Sequence, residues 1–166
     1  VIGGLKESLR MTNDGDTRAR SPDSIGGGES APRTVVEVAA GLVFRNGLLL
    51  ITQRLPEAHL GGMWEFPGGK RHPAESYEDC LQRELREELG IEVEIKELLE
   101  TLTHEYPDKA VHLRFFRCLW LRNEPKPLGV KDFVWAGKTQ LANYSFPAAD
   151  QQLLGKLLAT PEWWKP

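Results

Sequence analysis

The chain has 166 residues, 40% hydrophobic and 27% charged, with a formal net charge of -3. That suits one ordinary domain with a real core and excludes a strongly basic face, so no stable nucleic-acid binding is expected. A small anionic substrate stays open, because a metal ion inverts the charge of a local site.

Residues 1–33 hold Gly26-Gly27-Gly28 and no aromatic side chain. They cannot bury enough apolar area to offset their ordering entropy, so a disordered tail is expected there and a folded domain over 34–166. Val35 to Phe44 is β-rich. Arg45-Asn46-Gly47 is a hairpin signal, since Asn-Gly suits the positive-φ positions of a tight turn. Leu48 to Thr52 is the returning strand. Glu92 to Leu102 and Val111 to Leu121 read as long strands with Tyr106-Pro107-Asp108 turning between them, and Phe133 to Ala136 as a short one. Ala149 to Ala159 carries Leu153, Leu154, Leu157 and Leu158 at helical spacing. This order predicts an α/β fold, a mixed sheet flanked by helices. No apolar run approaches a membrane span, and the N-terminal stretch lacks the apolar centre of a secretory signal, so no membrane partner is expected. Cys80 and Cys118 form no CxxC pair; free thiols and a cytoplasmic location follow as expectations.

The chemistry is concentrated between Trp64 and Ile91 (WEFPGGKRHPAESYEDCLQRELREELGI). Pro67-Gly68-Gly69 is a rigid kink followed by two permissive residues. After a loop ending at Glu75 comes a punctuated helix. Ser76 is its predicted N-cap, Asp79 a capping-box partner and Gly90 the C′ residue. Leu81, Leu85 and Leu89 form one apolar stripe. Glu84 and Glu88 fall on its edge with Glu87 beside them. Like charges at i,i+4 cost a helix roughly 0.2–0.5 kcal/mol, and folding does not require that crowding. A hard divalent cation does, because Mg²⁺ seeks carboxylate oxygens and shares its remaining positions with phosphate. A solvated helix face would carry similar charges, but it needs neither the glycine kink nor Glu75.

Gly69, five residues, Glu75, seven residues, then Arg83-Glu84-Leu85-Arg86-Glu87-Glu88-Leu89-Gly90-Ile91 resemble the complete Nudix box, GX5EX7REUXEEXGU with U apolar. Trp64 to Lys70, Gln53-Arg54, Tyr106-Pro107-Asp108 and Phe146-Pro147-Ala148-Ala149-Asp150 are similar to the MutT-like branch, so the resemblance spans 35–159. It implies the Nudix fold, a mixed sheet between helices, and a hydrolase dependent on Mg²⁺ or Mn²⁺. For this branch the reaction would cut a nucleoside triphosphate, such as 8-oxo-dGTP or a cytidine triphosphate, to the monophosphate and pyrophosphate. By the same resemblance Glu84, Glu87, Glu88 and the Gly69 carbonyl would hold the metal. Glu75 would brace the loop, and Arg83 would position a neighbouring carboxylate. Another Nudix reaction, on an RNA 5′ end, ADP-ribose or a dinucleoside polyphosphate, is the alternative, as is a non-catalytic nucleotide or lesion binder. A monomer and a homodimer are both compatible with the sequence.

Several positions carry open readings. Many MutT-like chains place a further glutamate where counting back from Trp135 reaches Gly129; only Asp132 is acidic nearby, and the general base is left unassigned. Asp150 reads either as the N-cap of the last helix or as an acceptor for an exocyclic amine or ring N–H of a nucleobase. Arg54, Phe66 and Lys70 are further substrate-binding candidates. Trp64, Trp120, Trp135, Trp163 and Trp164 are expected to pack rather than stack on a base.

Overall fold

The structure is a computed structural model and describes residues 34–165; the expected tail at 1–33 lies outside the described residues. Period-two alternation puts successive side chains of the central strands on opposite faces. In β2 (Leu48–Gln53), Leu49 and Ile51 enter one apolar cluster and Leu50 the other. In β1 (Thr34–Arg45), Ala40 and Leu42 face the first cluster, and Ala39 and Val43 the second. A sheet apolar on both faces must be covered on both.

The sheet is mixed. β1 runs parallel to β6 (Lys109–Arg122), from Thr34 opposite Lys109 to Phe44 opposite Leu119. β6 pairs antiparallel with β5 (Glu92–Glu105). On the other side of β1, β2 pairs antiparallel at Phe44 and Arg45, and β4 (Gly68–Lys70) at Val38, Ala39 and Ala40. β3 (Trp64–Glu65) and β7 (Asp132–Ala136) both pair with β2. The β1–β2 turn has Asn46 at φ 51° and Gly47 at φ 74°, as the Asn-Gly signal requires.

The helices cover the two faces. α1 (Tyr77–Leu89) buries Cys80, Leu81, Leu85 and Leu89. Each leucine withdrawn from water contributes about 1.5–3 kcal/mol. α2 (Ala148–Ala159) buries Ala149, Leu153 and Leu157 on the other face. Predicted and observed elements agree in kind. The long β5–β6 hairpin runs further, with Tyr106 N–H donating to the Lys109 carbonyl at 2.8 Å across its turn. Two strands were not expected. Trp64-Glu65 and Gly68–Lys70, read as loop and kink, are strands, because the β1 and β2 edges supply partners invisible to local patterning.

All five tryptophans have packing roles. Arg45 lies over the Trp120 ring, 4.2 Å from its centroid, and also over Trp135 at 5.8 Å. Trp64 meets Tyr144 edge-on, with 4.8 Å between centroids, and Trp164 meets Phe44 edge-on at 5.4 Å. Trp163 packs against the α2-side core, and its carbonyl accepts from Arg117 at 2.6 Å. Both cysteines are free and buried, and no described helix is long and apolar enough to cross a membrane.

Candidate active site

The site forms where β4 meets α1. Helix punctuation sets the register of the acidic residues. The Ser76 hydroxyl accepts from the Asp79 backbone N–H at 3.0 Å, and Gly90 ends the helix in the left-handed region at φ 69°. The capping box closes differently from expectation. The Asp79 carboxylate accepts from the Ser76 hydroxyl at 2.7 Å rather than from its backbone, because Asp is one methylene shorter than Glu.

Glycine at 68 and 69 has two separate physical reasons. A Cβ on Gly68 would lie 2.1 Å from the Ala39 carbonyl oxygen, inside the sheet that β4 completes. A Cβ on Gly69 would lie 2.2 Å from the Glu84 carboxyl carbon. The Glu84 carboxylate therefore rests directly on the Gly69 backbone, and only a residue without a side chain leaves room for it.

Arg83 organises the surrounding carboxylates. Its Nε and Nη2 donate to the two Glu75 oxygens at 2.7 and 3.0 Å, and its Nη1 donates to Glu84 at 2.8 Å and Glu87 at 3.3 Å. Nη2 also donates to the Lys70 carbonyl at 3.2 Å, which ties the helix to the end of β4. These bonds, with the His72 N–H at 2.8 Å, hold the Glu75 carboxyl down at about 2. Glu75 and Arg83 thus tie the loop to the helix. Arg83→Lys keeps the charge but loses the planar fork. It is expected to lower turnover about 10–100-fold with the fold intact, the range for groups that orient ligands. Equal turnover for the two proteins in a steady-state assay would contradict the bracing role.

Glu84 and Glu88 line a cavity of about 430 Å³ together with Gly69, Lys70 and Gly129. Burial pushes the Glu88 carboxyl up to about 8, reinforced by the nearby charges of Glu65 and Glu84. Glu87 is not among the lining residues, and its side chain is 61% exposed. Among the described residues no three acidic, histidine or cysteine side chains already converge on one point, because Arg83 draws Glu84 and Glu87 towards itself. The donor chemistry nevertheless fits a divalent cation. Two carboxylates and a glycine backbone, all hard oxygen donors, share a cavity in which negative charge is desolvated and self-repelling. Glu84, Glu88 and the Gly69 carbonyl would hold such an ion, joined by Glu87 on turning from Arg83.

Gly129, the position reached by counting back from Trp135, lines the acidic cavity. The N–H groups of Leu128 and Gly129 donate to the Glu88 carbonyl at 2.9 and 3.1 Å, so Gly129 sits against the C-terminal turn of α1. A Cβ there would already be 3.2 Å from the Glu88 Cα. Asp132 is not among the residues that line this cavity, and it accepts from the Phe133 N–H at 2.8 Å.

A second cavity of about 160 Å³ adjoins the first. Val38, Arg54, Glu65, Gly68 and Lys70 line both. Its further walls include His59, Tyr106, Lys109 and Asp150. His59 meets the Tyr106 ring edge-on, 6.3 Å between centroids. Phe66 lines this cavity from within the core, 3% exposed and stacked on Phe146. Asp150 corrects one of its two readings. It is not the N-cap, because α2 begins at Ala148, and the Asp150 N–H already donates to the Pro147 carbonyl at 3.0 Å. Its carboxylate takes no hydrogen bond from a described residue. Burial, with the Glu65 charge, pushes it up to about 7 against the pull of Arg54.

Sequence reasoning missed Glu65, which pairs with Arg54 and lies on both cavity walls. The available signal was a lone charge between Trp64 and Phe66. It also missed the anchor of the loop before α1. There Glu37 accepts from the Tyr77 hydroxyl at 2.8 Å and from Arg71, and Arg71 Nη1 donates to the Glu75 carbonyl at 2.7 Å.

Comparison with known proteins agrees with this geometry. A family model described as the NUDIX domain matches residues 39–156. The 8-oxo-dGTP diphosphatase of Proteus vulgaris is 42% identical over 90 residues, covering 54% of this chain and 80% of that protein. The CTP pyrophosphohydrolase of Escherichia coli (strain K12) is 33% identical over 125 residues, covering 75% and 93%. The solution structure of the E. coli ORF135 protein superposes with a TM-score of 0.69 at 32% identity, covering 76% of this chain and 91% of that one. The family model spans the residues that carry the box, and with these relatives beside it the chain belongs to the Nudix hydrolase family.

Proposed function

We propose that this chain cleaves a nucleoside triphosphate to the monophosphate and pyrophosphate, with Mg²⁺ or Mn²⁺, acting on an oxidised or modified nucleotide or a cytidine triphosphate. The observation that carries the reading is the pair of adjoining cavities. One is lined by the Glu84 and Glu88 carboxylates, the other by a buried, unpartnered Asp150. A nucleoside with its phosphate chain spans two such compartments. Relatives named 8-oxo-dGTP diphosphatase and CTP pyrophosphohydrolase support the same class.

In this reading Asp150 accepts a hydrogen bond from an exocyclic amine or ring N–H of the base. Lys70 and Arg54 offer cationic donors to the phosphates. Arg83 and Glu75 keep Glu84 in place. A divalent ion in the acidic cavity supplies neutralisation of the phosphate oxygens and acidification of a water. The test is a nucleotide panel with Mg²⁺ and product identification. Pyrophosphate and monophosphate from at least one triphosphate are expected. Orthophosphate alone, or no turnover of any triphosphate, would overturn the reading.

Asp150 also has a stability signature. Its folded-state value is raised, so between about 3.8 and 7 the native chain holds a proton that the unfolded chain has lost. Stability from this group is therefore full below that window and declines as pH rises through it. Asp150→Asn is expected to gain on the order of 2 kcal/mol over wild type on going from pH 5 to pH 8. Melting curves at the two pH values check this, and a constant difference would contradict it. The same variant should alter base preference in the panel, because the amide offers a donor where the carboxylate had none.

A further inference from the structure

Two groups on the common wall of the cavities interact directly. Arg54 directly follows β2, and Glu65 lies on β3, the antiparallel neighbour of β2 in the sheet. Arg54 Nη1 donates to Glu65 Oε2, and Arg54 Nε donates to the His59 carbonyl at 2.7 Å. The guanidinium is therefore held on two sides, while its Nη2 makes no hydrogen bond to a described residue. Both side chains are largely buried, 27% and 22% exposed. An ion pair at that depth needs good geometry to offset its desolvation, and removing one partner leaves the other charge uncompensated. Neither β2 nor β3 requires a charge here for folding. The neighbouring register pair, Gln53 with Trp64, shows that a neutral residue suffices beside it.

Placement gives the pair its use. The acidic cavity and the Asp150 cavity meet at Arg54 and Glu65. Resting on the function proposed above, that seam is where a nucleoside joins its first phosphate. We propose that Glu65 is a positioning residue. It fixes the Arg54 guanidinium across the seam, so that the free Nη2 edge meets the phosphate nearest the sugar and sets the substrate's register over Glu84 and Glu88. A free arginine would sample many rotamers, and its charge would bind phosphate without choosing a register. Held by Glu65 and the His59 carbonyl, it presents one edge in one direction. The pairing thus acts on orientation more than on binding, and orientation is worth about 10²-fold in rate for a displacement near 1 Å.

The experiment compares Glu65→Ala, Glu65→Gln, Arg54→Ala and the Arg54→Ala/Glu65→Ala double variant with wild type. It measures kcat and KM on the best triphosphate of the panel, and affinity for a nucleoside monophosphate by calorimetry. Glu65→Ala is expected to lower kcat about 10–100-fold while KM moves less than about threefold. Glu65→Gln, which still accepts a hydrogen bond, should recover part of the loss. The double variant should be no slower than Arg54→Ala within about twofold, because both act through one group. Monophosphate affinity should fall only modestly in Glu65→Ala, within about threefold. Wild-type kcat in both Glu65 variants, or losses that multiply in the double variant, would overturn the proposal while leaving the reaction assignment intact. A wild type that cleaves no triphosphate but binds monophosphate in a Glu65-dependent way would overturn the reaction and uphold the pairing. Neither turnover nor binding by wild type would overturn both.

Discussion

Replacing Glu88 by Gln is expected to lower turnover by about 10²–10³-fold while leaving the protein folded. The substitution keeps the volume and removes the charge. Glu88 lies on the cavity wall with Glu84, and its backbone carbonyl is already tied to Leu128 and Gly129, so the helix end does not depend on the side chain. Losing one electrostatic stabiliser of a reacting centre costs rates of that size. Wild type carries a half-buried carboxyl pushed up by desolvation and by Glu65 and Glu84, which a neutral amide relieves. Glu88→Gln should therefore melt no lower than wild type in chelator. A second readout separates ion binding from catalysis. Saturating Mg²⁺, at about 100 times its dissociation constant, would stabilise wild type by about 2.7 kcal/mol, and the variant should show little of that. Unchanged turnover together with an unchanged Mg²⁺ response would exclude Glu88 from the acidic site.

Gly69→Ala should separate activity from stability, and Gly68→Ala should join them. The added methyl at 69 meets the end of a flexible side chain, with the Glu84 carboxyl carbon at 2.2 Å and both its oxygens within 2.6 Å. Glu84 can swing aside, at the cost of its 2.8 Å bond from Arg83 and its place in the cavity. The expected result is a rate loss of about 100-fold or more with a modest fall in stability. At 68 the methyl meets backbone, 2.1 Å from the Ala39 oxygen and 2.8 Å from the Ala40 Cα. There the β1–β4 pairing must part, and stability should fall by about 3 kcal/mol or more. Circular dichroism melts beside kinetic assays distinguish the two. A Gly69→Ala protein with wild-type turnover would show that Glu84 works from another position.

The bracing of Glu84 explains why the acidic residues behave unequally. Arg83 holds Glu75 through both oxygens and reaches Glu84 and Glu87 with the remaining nitrogen. Glu88 lies beyond that reach, half-buried near the charges of Glu65 and Glu84. One helix thus presents a neutralised, oriented carboxylate beside a repelled one.

Much of this was readable along the chain because the relevant signals are local. The cap at Ser76, the stop at Gly90 and the leucine stripe are set by residues within a turn or two of one another, so helix α1 and the register of Glu84, Glu87 and Glu88 follow from spacing alone. The Asn46-Gly47 turn and the alternation in β1 and β2 are equally local. Folding decided what depends on partners distant in sequence. β3 and β4 exist only because β2 and β1 offer unpaired edges. Asp150 is not the N-cap because α2 starts at Ala148, three residues before the Gln151 start that such a cap requires. Arg54 meets Glu65, and Gly129 meets Glu88, across separations that no periodicity encodes. Local chemistry therefore specified the acidic helix α1, whereas the shared wall of the two cavities arises from long-range pairing. Backbone preference acts over a few residues, and the environment of a buried charge is made by the whole sheet.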